Sequence, residues 1–298
     1  MDKNIYAEFI AKAELNEVHK VLIASAIPYA IIKGEPLSFL AYGDFALRKK
    51  SDIDILIDKN NIKRFESQLE NHGFITQSNS RKDRILYLSS SHQTSPWIKT
   101  VNNLNLKVVV DINFDILWGE YNGKRIDIHE FISDAIDMEI YGFKIKTLTV
   151  LKSLIQLILH QYKDLNSIFL LATRNSIKYD MFKDLYYLLK NNVHIIKVSD
   201  LYNISSCYQI VPYIYYMLYY TRLLFHDRVL DDYIEAFKTQ EGIDLLNCYG
   251  LNDSERREWK YNFSTRLNSK NVYELIKNDL TEKDLMKINI NRRAFLNE

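Results

Sequence analysis

Two stretches decide how this chain is read: SDIDILI at residues 51–57 and VVVDINF at residues 108–114. In both, acidic or amide side chains interrupt an aliphatic run. A β-strand sends successive side chains to opposite faces, so Asp52 and Asp54 leave one face while Ile53 and Ile55 enter a core. By the same count Asp111, Asn113 and Asp115 share a face. Paired carboxylates joined by a third from another strand are hard oxygen donors of the kind magnesium takes, a cation that keeps substrate phosphates among its ligands. A lone Asp-x-Asp also occurs on acidic edge strands. The second acidic strand is what lifts the pattern above that reading.

Working outward from residue 51, the segment ahead of the acidic strand contains Arg48, Lys49 and Lys50. Further back, the short apolar run Tyr29 to Ile32 stops at Lys33-Gly34. A glycine there lets backbone amides approach a phosphate, and the N-terminus of a following helix adds positive potential. Lys33, Gly34, Arg48 and Ser51 are therefore the candidate nucleotide-binding residues. Arg48 also has the plain reading of a solvated loop charge beside Lys49 and Lys50.

The rest of the chain supplies a frame. Residues 7–26 carry Phe9, Ile10, Ala13, Val18, Val21, Leu22 and Ala24 at helical spacing, closed by Pro28. Pro36 to Tyr42 suits a helix, as does Asn60 to Asn71, which stops at Gly73. Strands are predicted at Ile85 to Leu88 and Leu106 to Leu117, with the polar stretch Ser89 to Thr100 as a loop, and again at Phe143 to Ile145. A long apolar helix is predicted from Val150 to His160. Beyond it only helices are read: Met181 to Leu189, Val198 to Tyr202, Ile210 to Leu224, Tyr233 to Phe237, Glu255 to Leu267 and Val272 to Leu280. The fold class expected is α+β, with a mixed sheet and flanking helices over residues 1–146 and an all-helical domain over 147–298.

Composition bounds the partners. Of 298 residues, 47% are hydrophobic and 26% charged, and 39 Lys and Arg against 38 Asp and Glu leave a net charge of +1. No global attraction to nucleic acid is built in, so a basic groove would have to be local. Cys207 and Cys248 form no CxxC pair, which removes zinc-ribbon and disulfide-framework readings. With no apolar run after the charged N-terminal residues, a cytoplasmic protein without a secretory signal is expected. The stretch Cys207 to Phe225 resembles a membrane span only superficially, because Pro212 and Arg222 interrupt it and tyrosine supplies much of its apolar character. Tyr213, Tyr215, Tyr216, Tyr219 and Tyr220 are read there as core or dimer packing in preference to base stacking.

The ordered string IIKGEPLSFLAYGDFALRKKSDIDILI, then an amphipathic helix ending in NHGF, then VVVDINFDILW, resembles the uncharacterised nucleotidyltransferase-5 family of the polymerase-β-like nucleotidyltransferase superfamily. The likeness extends over LIQLILHQYKDLNSIFLLATRNSIKYDMFKDLYYLL, to cover residues 15 to 195. It implies that Asp52, Asp54 and Asp111 bind two magnesium ions, with manganese as a substitute, and form the catalytic set, and that Lys33 and Gly34 occupy the phosphate-binding turn. Many superfamily members carry Gly-Ser or Gly-Gly at that turn. Here it is Lys-Gly followed by Glu35, as in the resembled family.

The resemblance implies transfer of a nucleoside monophosphate from a triphosphate, with ATP the expected donor, to an acceptor that the sequence does not identify: a small molecule, peptide or protein. An RNA-end-modifying or toxin-type transferase and a non-catalytic nucleotide-binding module are the alternatives. His160 lies on an apolar helix, where a satisfied core histidine is the commoner outcome. Lys163, Lys183 and Asp184 are helix-face residues within reach of the same double reading.

Overall fold

The computed structural model describes residues 3–48, 51–76, 80–101, 106–118, 125–173 and 176–295. It divides into two compact units, the first holding Met1–Gly119 with Arg125–Ser153 and the second Leu154–Glu298. The division falls inside one helix, Val150–Asn166, a few residues past the change of pattern at Thr147.

The first unit is built on a seven-stranded mixed sheet. Its strands are β1 (Ala30–Ile31), β2 (Ile53–Leu56), β3 (Ile75–Thr76), β4 (Trp97–Val101), β5 (Leu106–Asn113), β6 (Ile136–Ile140) and β7 (Phe143–Thr147), in the order β3-β4-β5-β2-β1-β7-β6. The central pair, β2 and β5, runs parallel, while β1 runs antiparallel to β2. Alternation along these strands works as the sequence predicts. Ile53, Ile55, Val108, Val110 and Ile112 pack into one cluster with Leu15, Val18, Val21 and Leu22 of helix α1 (Lys3–Ser25) and with Phe65 and Leu69 of a later helix. The residues between them, Asp54, Asp111 and Asn113, are thereby placed on the opposite face of the sheet.

Helix α2 (Gly34–Tyr42) follows β1 directly, and α3 (Ile62–Asn71) follows β2. Two predicted elements are different. Residues 85–88 belong to helix α4 (Arg81–Ser90), not to a strand. Periodicity cannot resolve a short apolar run by itself, and here Arg84 decides it by pairing through both guanidinium nitrogens with the buried Glu66 carboxylate of α3. The supposed loop Ser89 to Thr100 ends in strand β4, which pairs with β5 from Trp97↔Val110 to Val101↔Leu106. Trp97 is buried in the core, and only that long-range burial distinguishes its segment from a polar loop.

The predicted strand Leu106 to Leu117 ends at Asn113. Strand β6 was not predicted. Its hairpin with β7 turns at Tyr141 and Gly142, whose φ values of 52° and 85° suit a two-residue turn of the kind that matches strand twist.

The second unit is mainly helical, with the longest uninterrupted pieces at Tyr179–Asn191, Val198–Cys207, Val211–Phe225 and Glu282–Phe295. The helix predicted over Glu255 to Leu267 is replaced by a small two-stranded sheet, β8 (Cys248–Tyr249) with β9 (Arg257–Glu258), and a helix confined to Phe263–Asn268. Asn262 caps that helix by accepting from the Thr265 amide, which fixes its start. The tyrosine-rich helix Val211–Phe225 is core: Tyr213, Tyr215, Tyr216 and Tyr220 are buried, and Tyr162 packs against Tyr213 and Tyr216. Among the described residues, no helix is long and apolar enough to cross a membrane.

Candidate active site

Parallel pairing of β2 with β5 puts Asp54 directly opposite Asp111. Partners in such a ladder point to the same side, from strands about 4.8 Å apart. Both side chains are buried, at 3% and 8% exposure. Asp52 lies at the bend just ahead of β2 and is half-buried. The three act on one another: the Asp54 and Asp52 charges both raise the Asp111 carboxyl, and the Asp54 charge raises that of Asp52.

Lys33 enters by way of the neighbouring strand. The Ile32 amide donates to the Asp54 carbonyl oxygen at 3.1 Å, which extends the β1–β2 pairing by one residue and sets the Lys33 backbone beside Asp54. Its Nζ then donates to Asp54 Oδ1 at 2.8 Å. Lys33 is itself extended, and Gly34 has a φ of 60°, a left-handed conformation that swings the chain directly into α2. The turn therefore brings the Lys33 ammonium to the carboxylate face, with a buried glycine next to it in the chain.

Two amide side chains complete the arrangement, and sequence reasoning assigned neither a role. Asn113 Nδ2 donates to Asp54 Oδ1 at 3.1 Å and to the Asp111 carbonyl oxygen at 3.3 Å, bridging β2 and β5. Gln93 Nε2 donates to Asp111 Oδ2 at 3.3 Å, from an isolated bridge pairing Gln93 with Asn113. The alternation of VVVDINF already put Asn113 on the acidic face, so it carried a usable signal. Gln93 carried none, since it is one polar residue in a polar stretch.

Asp111 Oδ1 is buried and, among the described residues, has no hydrogen-bond partner. A buried carboxylate oxygen left bare is costly unless a cation or a proton meets it. Burial first, then the Asp54 and Asp52 charges, push the Asp111 carboxyl up to about 7 against the pull of Lys33 and Gln93. The Asp52 carboxyl is also raised, by burial and then by Asp54, and is held down in part by Lys33, by a hydrogen bond from Ser51 and by Arg48. Ser51 and Arg48 thus sit around Asp52, and the Arg48 amide is fixed by donating to Ser38 Oγ at 3.1 Å.

Among the described residues, no three Asp, Glu, His or Cys side chains stand grouped at metal-ligand spacing. Like charges on adjacent strands repel, and here the neutralising charge comes from Lys33. The donor set nevertheless suits a hard cation, because it consists of carboxylate oxygens and one of them is bare.

Asp115 does not join the set. It lies beyond the end of β5, where its Oδ1 accepts from the Leu117 amide at 2.9 Å. The strand's period of two stops at Asn113, and the shared face stops with it. His160, Lys163, Lys183 and Asp184 belong to the second unit, where His160 and Lys163 pair with Asp164. Lys49 and Lys50 lie outside the described residues.

The family described as uncharacterised nucleotidyltransferase matches residues 1–226, and the chain belongs to that family. The match runs further in both directions than residues 15 to 195 and includes the tyrosine-rich helix. Comparison with curated proteins finds no match. Among solved structures, JHP933 from Helicobacter pylori is similar over 80% of this chain and 89% of its own, at 15% identity and a TM-score of 0.35.

Proposed function

We propose that the protein is a magnesium-dependent nucleotidyltransferase that moves a nucleoside monophosphate from a triphosphate, ATP first among candidates, to a small-molecule, peptide or protein acceptor. The observation that carries this reading is the bare, buried Asp111 oxygen in register with Asp54, in a chain whose family is a nucleotidyltransferase family. Asp52, Asp54 and Asp111 would hold the metal, which when bound neutralises triphosphate charge and acidifies the acceptor.

The chain's own groups have separate tasks. Lys33 and the Gly34 turn receive the triphosphate, the first by charge and the second by letting backbone amides come close. Arg48 and Ser51 flank that path beside Asp52. An acceptor hydroxyl attacks the α-phosphorus as the bond to the β-phosphate oxygen breaks, and pyrophosphate departs with the bonding electrons. Asp111 would complete the metal site on the acceptor's side and take the acceptor's proton. Near-neutral net charge favours a small or protein acceptor over nucleic acid.

The test is incubation of the protein with magnesium, each α-labelled triphosphate and a cell extract, with Asp54→Asn as control. Label transfer and pyrophosphate release by the wild type alone are expected. Nucleotide binding with no pyrophosphate from any triphosphate would replace the transferase with a binding module.

A further inference from the structure

Among the described residues, one lysine ammonium donates to the acidic face. Lys33 Nζ donates to Asp54 Oδ1 at 2.8 Å, with the two side chains only 13% and 3% exposed. Its charge also lowers the carboxyls of Asp52 and Asp111. The other donors to Asp54 and Asp111, Asn113 and Gln93, are neutral amides, while Ser51 and Arg48 act on Asp52. Among the described residues, Lys33 is therefore the charge that most directly offsets the buried Asp54–Asp111 pair. Removing one member of such a pairing strands the other, so the nucleotide-free protein needs this ammonium or a substitute for it.

A substitute is what a divalent cation would be. Asp54 Oδ1 already accepts from Lys33 and Asn113, so a hard cation taking the same oxygen competes with the ammonium, which it also repels. A lysine ammonium is also a compact point charge on a flexible stem, able to leave one anion for another. A triphosphate brought to the Gly34 turn offers it oxygens of higher total charge. We propose that Lys33 is an exchangeable counter-ion: without nucleotide it neutralises Asp54 and weakens divalent-cation binding, and on triphosphate binding it passes from carboxylate to phosphate, so that metal and nucleotide load together. The proposal rests on the nucleotidyltransferase reading for the identity of the second anion. It also makes the coupling reciprocal, since a nucleotide that tightens the metal must be tightened by it.

The experiment is a manganese titration of the metal-free protein, with free manganese followed by electron paramagnetic resonance and heat by calorimetry. It is run with and without α,β-methylene adenosine triphosphate. For the wild type, manganese is expected to bind weakly alone and at least roughly tenfold more tightly with the analogue, the scale of one charged hydrogen bond exchanged. Lys33→Met should bind manganese at least about tenfold more tightly than the wild type when nucleotide is absent, and should respond less to the analogue. Lys33→Arg, which keeps the charge, should stay near the wild type. Circular dichroism verifies folding, with Lys33→Gln as the second neutral variant.

Manganese binding by the neutral variants that is unchanged or weaker would overturn the proposal. So would equal manganese affinity of the wild type with and without the analogue, which needs no variant at all. The two readings fail separately. Tighter manganese binding by Lys33→Met, in a protein that releases pyrophosphate from no triphosphate, keeps the counter-ion and removes the transferase. Turnover with no effect of Lys33 on manganese does the reverse.

Discussion

Asp111→Asn removes a charge that the folded protein holds at a cost, and its effect on stability can be worked out with its sign. The Asp111 carboxyl rises from an ordinary 3.8 to about 7 in the folded state. The folded protein therefore keeps a proton, between those two values, that the unfolded chain has released. Stability from this group is fully present below the unfolded value and is lost as pH rises through the folded one. The difference is about 3 units, which at about 1.4 kcal/mol per unit sets an upper limit of roughly 4 kcal/mol of destabilisation at about pH 8. Asparagine has no charge at any pH, and its oxygen can still accept from Gln93. A gain of about 1–4 kcal/mol at about pH 8 is expected, shrinking toward zero near pH 4, or about 3 °C in Tm per kcal/mol for a unit of this size.

The assay is urea unfolding in a chelator across that pH range. It is followed by fluorescence in a Trp259→Phe background, which leaves Trp97 and Trp118, both in the first unit, as reporters. A variant no more stable than the wild type at the alkaline end would refute the reasoning, and with it the claim that Asp111 is held charged against its surroundings. Adding magnesium should stabilise the wild type and leave Asp111→Asn nearly unmoved, because the added cation replaces the missing proton.

Asp54→Asn should lower label transfer by roughly a hundredfold or more, the scale for losing one charge-organising group in a site, while circular dichroism and cooperative unfolding persist. Gly34→Val should cost about 1–3 kcal/mol, because a branched residue is forced to a φ of 60°, and calorimetry should show triphosphate binding weakened as well. Ile55→Ala, a truncation at a fully buried position, should cost the first unit roughly 2–5 kcal/mol. Unfolding that Trp97 and Trp118 report would move to lower urea. An unmoved transition would mean that β2 does not organise the core.

What the sequence by itself determined is whatever depends on neighbours in the chain. The alternation in SDIDILI and VVVDINF put Asp54, Asp111 and Asn113 on one face because a strand's period of two is a property of its own backbone. The Lys33-Gly34 turn was legible for the same reason, since a glycine after a short apolar run announces a backbone conformation that few other residues adopt. Where local signals were evenly balanced, reading failed: residues 85–88 became helix through Arg84 and the Glu66 carboxylate, 18 positions earlier. Only the tertiary structure decided that β2 lies beside β5, that Asp54 stands level with Asp111, and that Gln93 caps one oxygen and leaves the other bare. Those contacts join residues 18 to 59 positions apart. Their partners are chosen by burial and charge compensation in the assembled core, and no window of the sequence contains both sides of that choice.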